Sequence, residues 1–188
     1  MNNPYAFFDL FGTLGGSGID DIRTFTFFDY TIESLKMLVS VKVKIAIITN
    51  QSSIGKGEYS MADFLNQKER LIMILNENEI TVDNFLFCPH TEKEKCMCKK
   101  PKPGLIYENI EQKDFTESYV IGDMGKSDML LAKNIGAKGI LVKTGVGIGS
   151  LNEYRSTWKE YEPYSVCEDI KEACTLIASE IKNTELYT

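Results

Sequence analysis

The chain is short of positive charge: 21 lysines and arginines stand against 27 aspartates and glutamates, giving a formal net charge of -6 and a pI near 5.0. That balance argues against a general affinity for nucleic acid or an anionic membrane, while local basic loops could still hold phosphate. No apolar run approaches the length of a membrane span, and Met1-Asn2-Asn3-Pro4 has neither the basic start nor the apolar stretch of a signal peptide. A cytoplasmic protein is expected. Internal repeats, low-complexity tracts and linkers are also missing, so residues 1–188, 43% of them hydrophobic, are read as one domain with a sizeable core. Oligomeric state is not legible in the sequence, and a monomer is favoured.

Histidine occurs once, and it falls among three of the five cysteines, in the run Cys88-Pro89-His90-Thr91-Glu92-Lys93-Glu94-Lys95-Cys96-Met97-Cys98. A Cys-x-His pair and a Cys-x-Cys pair across a short loop supply the four ligands that zinc favours. Cys88, His90, Cys96 and Cys98 fill a tetrahedron and leave no place for substrate, so the zinc is expected to be structural. The loop runs directly into a cationic stretch, Lys99-Lys100-Pro101-Lys102-Pro103-Gly104. Only Cys167 and Cys174 remain, which suits a reducing compartment and gives no reason to expect a disulfide.

Short apolar runs of β type alternate with helical patterns, the signature of an α/β fold with a parallel sheet covered on both faces. Strands are predicted over Tyr5–Phe8, Lys44–Ile48, Asn84–Phe87, Ser118–Ile121, Gly139–Val142 and, more weakly, Tyr164–Val166. Helices are predicted over Tyr30–Ser40, Met61–Asn76, Gly104–Ile110, Ser127–Ile135 and Glu168–Ile181. Ligands of such sheets bind beyond the carboxyl ends of the strands. There the sequence places Asp9 after the first strand, Thr49-Asn50-Gln51 after the second, and Asp123 with Asp128 after the fourth, while Lys100 arrives from the zinc loop. Gathered carboxylates repel one another unless a cation sits among them, and aspartates with carbonyls and water suit Mg²⁺. Metal, lysine and hydroxyl converging on one point describe the surroundings of a phosphoryl group, which an aspartate could attack.

This ordering resembles the haloacid dehalogenase superfamily of aspartyl phosphatases, through Asp9-Leu10-Phe11-Gly12-Thr13-Leu14, Thr49, Lys100 and Gly122-Asp123-x4-Asp128. Within it, Thr49-Asn50-Gln51-Ser52-Ser53-Ile54-Gly55-Lys56-Gly57 and the zinc loop are similar to the heptose bisphosphate and histidinol phosphatase group, from Phe7 to about Gly145. The resemblance implies a doubly wound α/β/α sandwich with a zinc loop, no large cap, and Mg²⁺ for chemistry on a small phosphorylated metabolite. It implies that Asp9 is nucleophile and magnesium ligand and that Thr49 hydrogen-bonds the phosphoryl group. Lys100 neutralises charge, Asp123 ligates or water-bridges magnesium alongside the main-chain carbonyl of Phe11, and Asp128, counted with the magnesium ligands, orients that shell or Lys100. Asn50, Lys56 and Lys99 are expected to contact substrate, the lysines through a second anionic group.

Phe11 departs from the pattern. Phosphatases of this superfamily carry an aspartate there that protonates the leaving oxygen and later activates water. Loss of such an acid and base costs about two to four orders of magnitude in rate. Three alternatives therefore stand beside a phosphatase: a weakened relative that binds a phosphorylated ligand or a partner, a 2-haloacid dehalogenase type, and a zinc module for nucleic acid. The retained Asp123 and Asp128 count against the second, and Pro101 and Pro103 after Cys98, where a zinc finger would place a basic helix, count against the third. Gly122-Asp123-Met124-Gly125-Lys126-Ser127 has its glycines too close for a P-loop and is read as leading into a helix. Gly145-Val146-Gly147-Ile148-Gly149 is read as a flexible loop at the sheet edge. Trp158, Tyr154, Tyr161 and Tyr164 are expected to pack around the final strand and helix, and Cys174 to face the core. Leu14 to Phe28, which carries substrate contacts in relatives, shows no signature that names a substrate.

Overall fold

A computed structural model describes residues 3–17 and 20–186, leaving out the first two residues of the amino-terminal segment considered above. Six strands form one parallel sheet: β1 (Tyr5–Phe8), β2 (Lys44–Asn50), β3 (Val82–Cys88), β4 (Tyr119–Gly122), β5 (Lys138–Val142) and β6 (Ser165–Cys167), in the order β3-β2-β1-β4-β5-β6. The helices are α1 (Thr31–Ser40), α2 (Ser52–Lys56), α3 (Met61–Glu77), α4 (Gly104–Asn109), α5 (Leu130–Ile135), α6 (Gly147–Leu151) and α7 (Ile170–Leu186). No helix among the described residues is long and apolar enough to cross a membrane.

Period-two alternation assigns each strand residue to one of two layers. Ala6 and Phe8 of β1, Ile45 and Ile47 of β2, and Tyr119 and Ile121 of β4 meet Leu35 and Leu38 of α1, Phe64 of α3 and Ile177 of α7. Their neighbours Phe7, Ala46, Ile48 and Val120 meet Leu105 and Ile106 of α4 and Leu131 and Ile135 of α5. Both faces are buried, which is why these strands read as continuous apolar runs. The order reverses direction between β1 and β4, and at such a crevice, beyond the carboxyl ends, loops can converge.

Besides the short helix α2, which was not predicted, three features differ from expectation. The helix predicted over Ser127–Ile135 begins with a π-helical turn, Gly125–Met129, before α5. A π-turn widens the backbone by one residue, and here Asp128 folds back under Gly122, where a Cβ would lie 2.3 Å from the Asp128 carboxyl carbon. The segment after β5 is not a flexible loop: Gly145 turns with φ of 56° into helix α6. Trp158 is buried, but against Met129 and Leu141 with its indole N–H donated to Ser150 O at 3.0 Å, so it supports the π-turn instead of the final helix. Tyr164 does bond to Glu180 of α7, Tyr161 receives the Gly139 N–H at 2.9 Å, Tyr154 is exposed, and Cys174 is buried. Leu38→Ala, which empties a fully buried position between α1 and the sheet, is expected to lower unfolding free energy by about 2–5 kcal/mol in urea titrations.

Candidate active site

The carboxyl ends of β1, β2 and β4 bring together Asp9, Lys100, Asp123 and Asp128. Lys100 reaches in from the segment after the cysteine loop, fully buried, and its ammonium donates to Asp9 Oδ1 at 2.8 Å, Asp128 Oδ1 at 2.7 Å and the main-chain oxygen of Ile48 at 2.7 Å. Those three bonds use its three hydrogens. Burial works against the ammonium, but Asp128 and Asp9 outweigh it and hold the Lys100 pKa above the ordinary lysine value.

The main chain of Lys100 is held as firmly as its tip. Asn50, at the end of β2, accepts the Lys100 N–H at 3.0 Å and donates to the Lys100 carbonyl at 3.2 Å. One hydrogen and one lone pair of its amide are thus engaged by the lysine's backbone. Thr49, one residue earlier, is buried. The neighbouring Lys99 points elsewhere, donating to Ser52 Oγ at 2.5 Å and lying 3.2 Å from Glu92. A cleft of about 710 Å³ opens there, lined by Ser52, Lys56, Thr91, Glu92, Lys93 and Lys99. Lys56 is exposed and 3.7 Å from Glu58.

Two carboxylates carry the strain of burial. Asp123 is pushed up to about 8 by burial and by the charges of Asp9 and Asp128, against the Val146 N–H that it accepts at 2.8 Å. Burial lifts Asp128 to about 6 although Lys100 opposes it, and Asp128 also accepts the Met124 N–H at 3.0 Å. One ammonium among three carboxylates leaves negative charge in excess. Carboxylate oxygens of Asp9, Asp123 and Asp128 lie within 4.8 Å of one another, so the donor set fits a hard cation such as Mg²⁺.

The residues that hold Asp123 were not foreseen. Thr144 donates to Gly12 O at 2.6 Å, and Val146 N–H reaches Asp123. Between them, a Cβ on Gly145 would fall 2.1 Å from Asp123 Oδ2 and 2.6 Å from Gly12 Cα. The glycine cluster at 145–149 was the available signal, and its place after a strand end marked it as a close approach. Phe11, two residues after Asp9, turns its ring edge-on to Phe25 at 5.2 Å, and Phe25 meets Phe27 at 5.6 Å. The side chain is part of an aromatic cluster and brings no titratable group.

Beside this centre, the four zinc-type donors face one another. Cys88 Sγ lies 3.6 Å from His90 Nδ1, 3.5 Å from Cys96 Sγ and 3.3 Å from Cys98 Sγ, and His90 Nδ1 lies 3.1 Å from Cys98 Sγ. Zinc bonds of ordinary length set tetrahedral ligand atoms about 3.5–3.8 Å apart, so the set fits one ion with a slight expansion. The Gln51 N–H donates to Cys88 O at 2.7 Å, tying this loop to the end of β2.

Comparison with known proteins gives a consistent picture. A family model described as polynucleotide kinase 3 phosphatase matches residues 5–128, and one described as HAD-hydrolase-like matches residues 97–173. The chain is 30% identical over 167 residues to the D-glycero-beta-D-manno-heptose-1,7-bisphosphate 7-phosphatase of Yersinia pestis, covering 82% of this chain and 88% of that protein. It is 34% identical over 151 residues to the histidine biosynthesis bifunctional protein HisB of Buchnera aphidicola, covering 78% of this chain but only 42% of that protein. In fold it is similar to the D,D-heptose 1,7-bisphosphate phosphatase of B. bronchiseptica solved with magnesium and phosphate, with a TM-score of 0.77 at 21% identity, covering 94% of this chain and 99% of that one.

Gly145→Ala is expected to destabilise the protein more than Gly136→Ala. Both glycines have positive φ, 56° and 73°, but nothing lies within 4 Å of a Cβ at Gly136. The second variant should lose only the conformational term, about 1–2 kcal/mol. Equal losses in urea titrations would show that the floor under Asp123 is not tight.

Proposed function

The chain belongs to the haloacid dehalogenase-like hydrolases, homologous to a heptose bisphosphate phosphatase and to the histidine biosynthesis bifunctional protein HisB, and from this we propose that it hydrolyses a small phosphomonoester through Asp9. The observation that carries the reading is the buried Lys100 bridge between Asp9 and Asp128, beside an Asp123 held ready by Val146.

In this reading the Asp9 carboxylate attacks phosphorus, a phosphorus–oxygen bond forms, and the bond to the leaving alcohol breaks. Water then attacks the aspartyl phosphate, releasing phosphate and restoring Asp9. Lys100 fixes the rotation of the Asp9 carboxylate and offsets charge on the nucleophile. The Thr49 hydroxyl donates to a phosphoryl oxygen. Asp9, Asp123, Asp128 and the Phe11 carbonyl would hold Mg²⁺, which when bound neutralises phosphoryl oxygens. Cys88, His90, Cys96 and Cys98 would hold a structural zinc whose binding stabilises the loop that delivers Lys100. The lysine-lined cleft supports a substrate with a second anionic group placed near Lys56 and Lys99, within a sugar or amino-alcohol phosphate. Acting as one domain and as a monomer, the protein would serve cytoplasmic metabolism.

One observation favours a second reading. The Phe11 ring is committed to Phe25, so the position offers neither acid nor base, and a relative that binds phosphorylated ligands with weak turnover is consistent with it. A panel of phosphate esters assayed on protein of measured metal content separates the two. The first reading expects one zinc per chain, turnover abolished by Asp9→Asn and by EDTA, and a gain in Phe11→Asp of up to about 10²–10⁴ on alkyl phosphates. A folded, metal-bearing Phe11→Asp protein that stays silent across the panel would favour the binding protein.

A further inference from the structure

Thr49 has a single hydroxyl hydrogen, and the structure determines where it is free to point. Gln51 Nε2 donates to Thr49 Oγ1 at 2.9 Å, and Tyr59 donates its phenol hydrogen to Gln51 Oε1 at 2.5 Å. All three side chains are buried. The amide donation fills a lone pair of Thr49, and no hydrogen bond donated by the Thr49 side chain occurs among the described residues, so its hydrogen remains available.

The far end of this chain is the Tyr59 phenol, which donates to Gln51 Oε1. Burial, with smaller contributions from Asp21 and Glu58, pushes the Tyr59 phenol up to about 12 despite a hydrogen bond with Ser53, so it keeps its proton at neutral pH. With its proton aimed at Gln51, the amide oxygen faces Tyr59 and the amide nitrogen faces Thr49. The reverse orientation would turn the amide oxygen toward Thr49 and capture its hydrogen. The backbone of Gln51 is also fixed, its N–H donating to Cys88 O at 2.7 Å and its carbonyl accepting from Ile54 N at 3.1 Å.

We infer that Gln51 and Tyr59 are positioning residues that present the Thr49 hydroxyl as a donor to a phosphoryl oxygen. This rests on the phosphatase reading for the role of Thr49, and deepens it by assigning two residues that never touch substrate. Both come from the stretch that links β2 to α3, and Gln51 is bonded to the first residue of the cysteine loop.

The test is a double-mutant cycle with Thr49→Val, Gln51→Met and Tyr59→Phe in the magnesium-loaded protein. Two quantities are measured: affinity for inorganic phosphate by calorimetry, and kcat and KM on p-nitrophenyl phosphate. Gln51→Met and Tyr59→Phe are each expected to weaken phosphate binding and lower kcat/KM by roughly 3- to 10-fold, the size of one hydrogen bond. In the Thr49→Val background neither should cost anything further, because the group they act through is gone. A merely structural role would give equal losses in both backgrounds, which would overturn the relay, as would unchanged phosphate affinity in Gln51→Met and Tyr59→Phe alike. Should Gln51→Met fail to fold, Tyr59→Phe removes a single oxygen and carries the test alone. A wild type that binds phosphate in a Gln51-dependent way yet turns over no ester would sink the phosphatase reading and leave the relay standing. Turnover with additive losses would do the opposite, and absence of phosphate binding would overturn both.

Discussion

A single buried ammonium holds the site together. Lys100 Nζ lies 2.7–2.8 Å from Asp9, Asp128 and the carbonyl of Ile48, contributed by β1, the π-turn after β4, and β2. Removing any of these groups from water is costly, and the cost is offset only if every donor and acceptor is met. All three lysine hydrogens are met. The ends of the three central strands are thereby fixed relative to one another by one side chain. Because three carboxyl groups face one ammonium, the same arrangement that satisfies Lys100 leaves carboxylate oxygens placed to receive a divalent cation.

The rest of the loop architecture serves that lysine. Asn50 binds its backbone at two points, so the distance from β2 to Lys100 is set by side-chain amide geometry instead of by the flexible stem of a lysine. The cysteine loop enters from β3 and is tied to β2 through Gln51 and to α2 through the Gly55 N–H on Pro89 O at 3.0 Å. With Pro101 and Pro103 following, the chain has little freedom between Cys98 and α4. Adjacent residues Lys99 and Lys100 consequently face different neighbours, one toward the cleft beside α2 and the other toward Asp9.

Much of this was legible in the sequence, for identifiable reasons. The strands buried on both faces read as apolar runs, and every predicted strand overlaps an observed one within two residues at each end. Asp9, Lys100, Asp123 and Asp128 could be gathered at one point because a parallel sheet places all its carboxyl ends on one edge. What escaped was set by tertiary contact. Helices α2 and α6 have five residues each and contain glycine, so no periodicity announces them. The π-turn depends on Trp158 and Ser150, distant residues that meet Gly125 only in the fold. Thr144 and Val146 support Asp123 partly through backbone groups, which no residue type reveals. Asn50, a polar residue at a strand end, gave no sign that it would brace a main chain fifty residues away.

In the proposed hydrolysis, Phe11 divides the chemistry into a part the site would retain and a part it would lack. Charge stabilisation is intact: the lysine is paired, the carboxylates are placed, and the Thr49 hydrogen is uncommitted. Fixed dipoles and charges of this kind commonly contribute about two to three orders of magnitude per donor, comparable to the contribution of an acid–base group. Proton transfer is another matter, because the ring of Phe11 sits against Phe25 in an apolar cluster with no titratable atom. The missing acid would not fall equally on all substrates. A leaving oxygen of low basicity departs without a proton, so its expulsion depends almost wholly on the electrostatic part that remains. An alkoxide does not, so for it the missing acid would be felt in the first step, whereas the missing base would slow the attack of water on the aspartyl phosphate equally for every substrate. In the proposed hydrolysis the aromatic cluster would therefore act on selectivity as well as on rate, penalising basic leaving groups most.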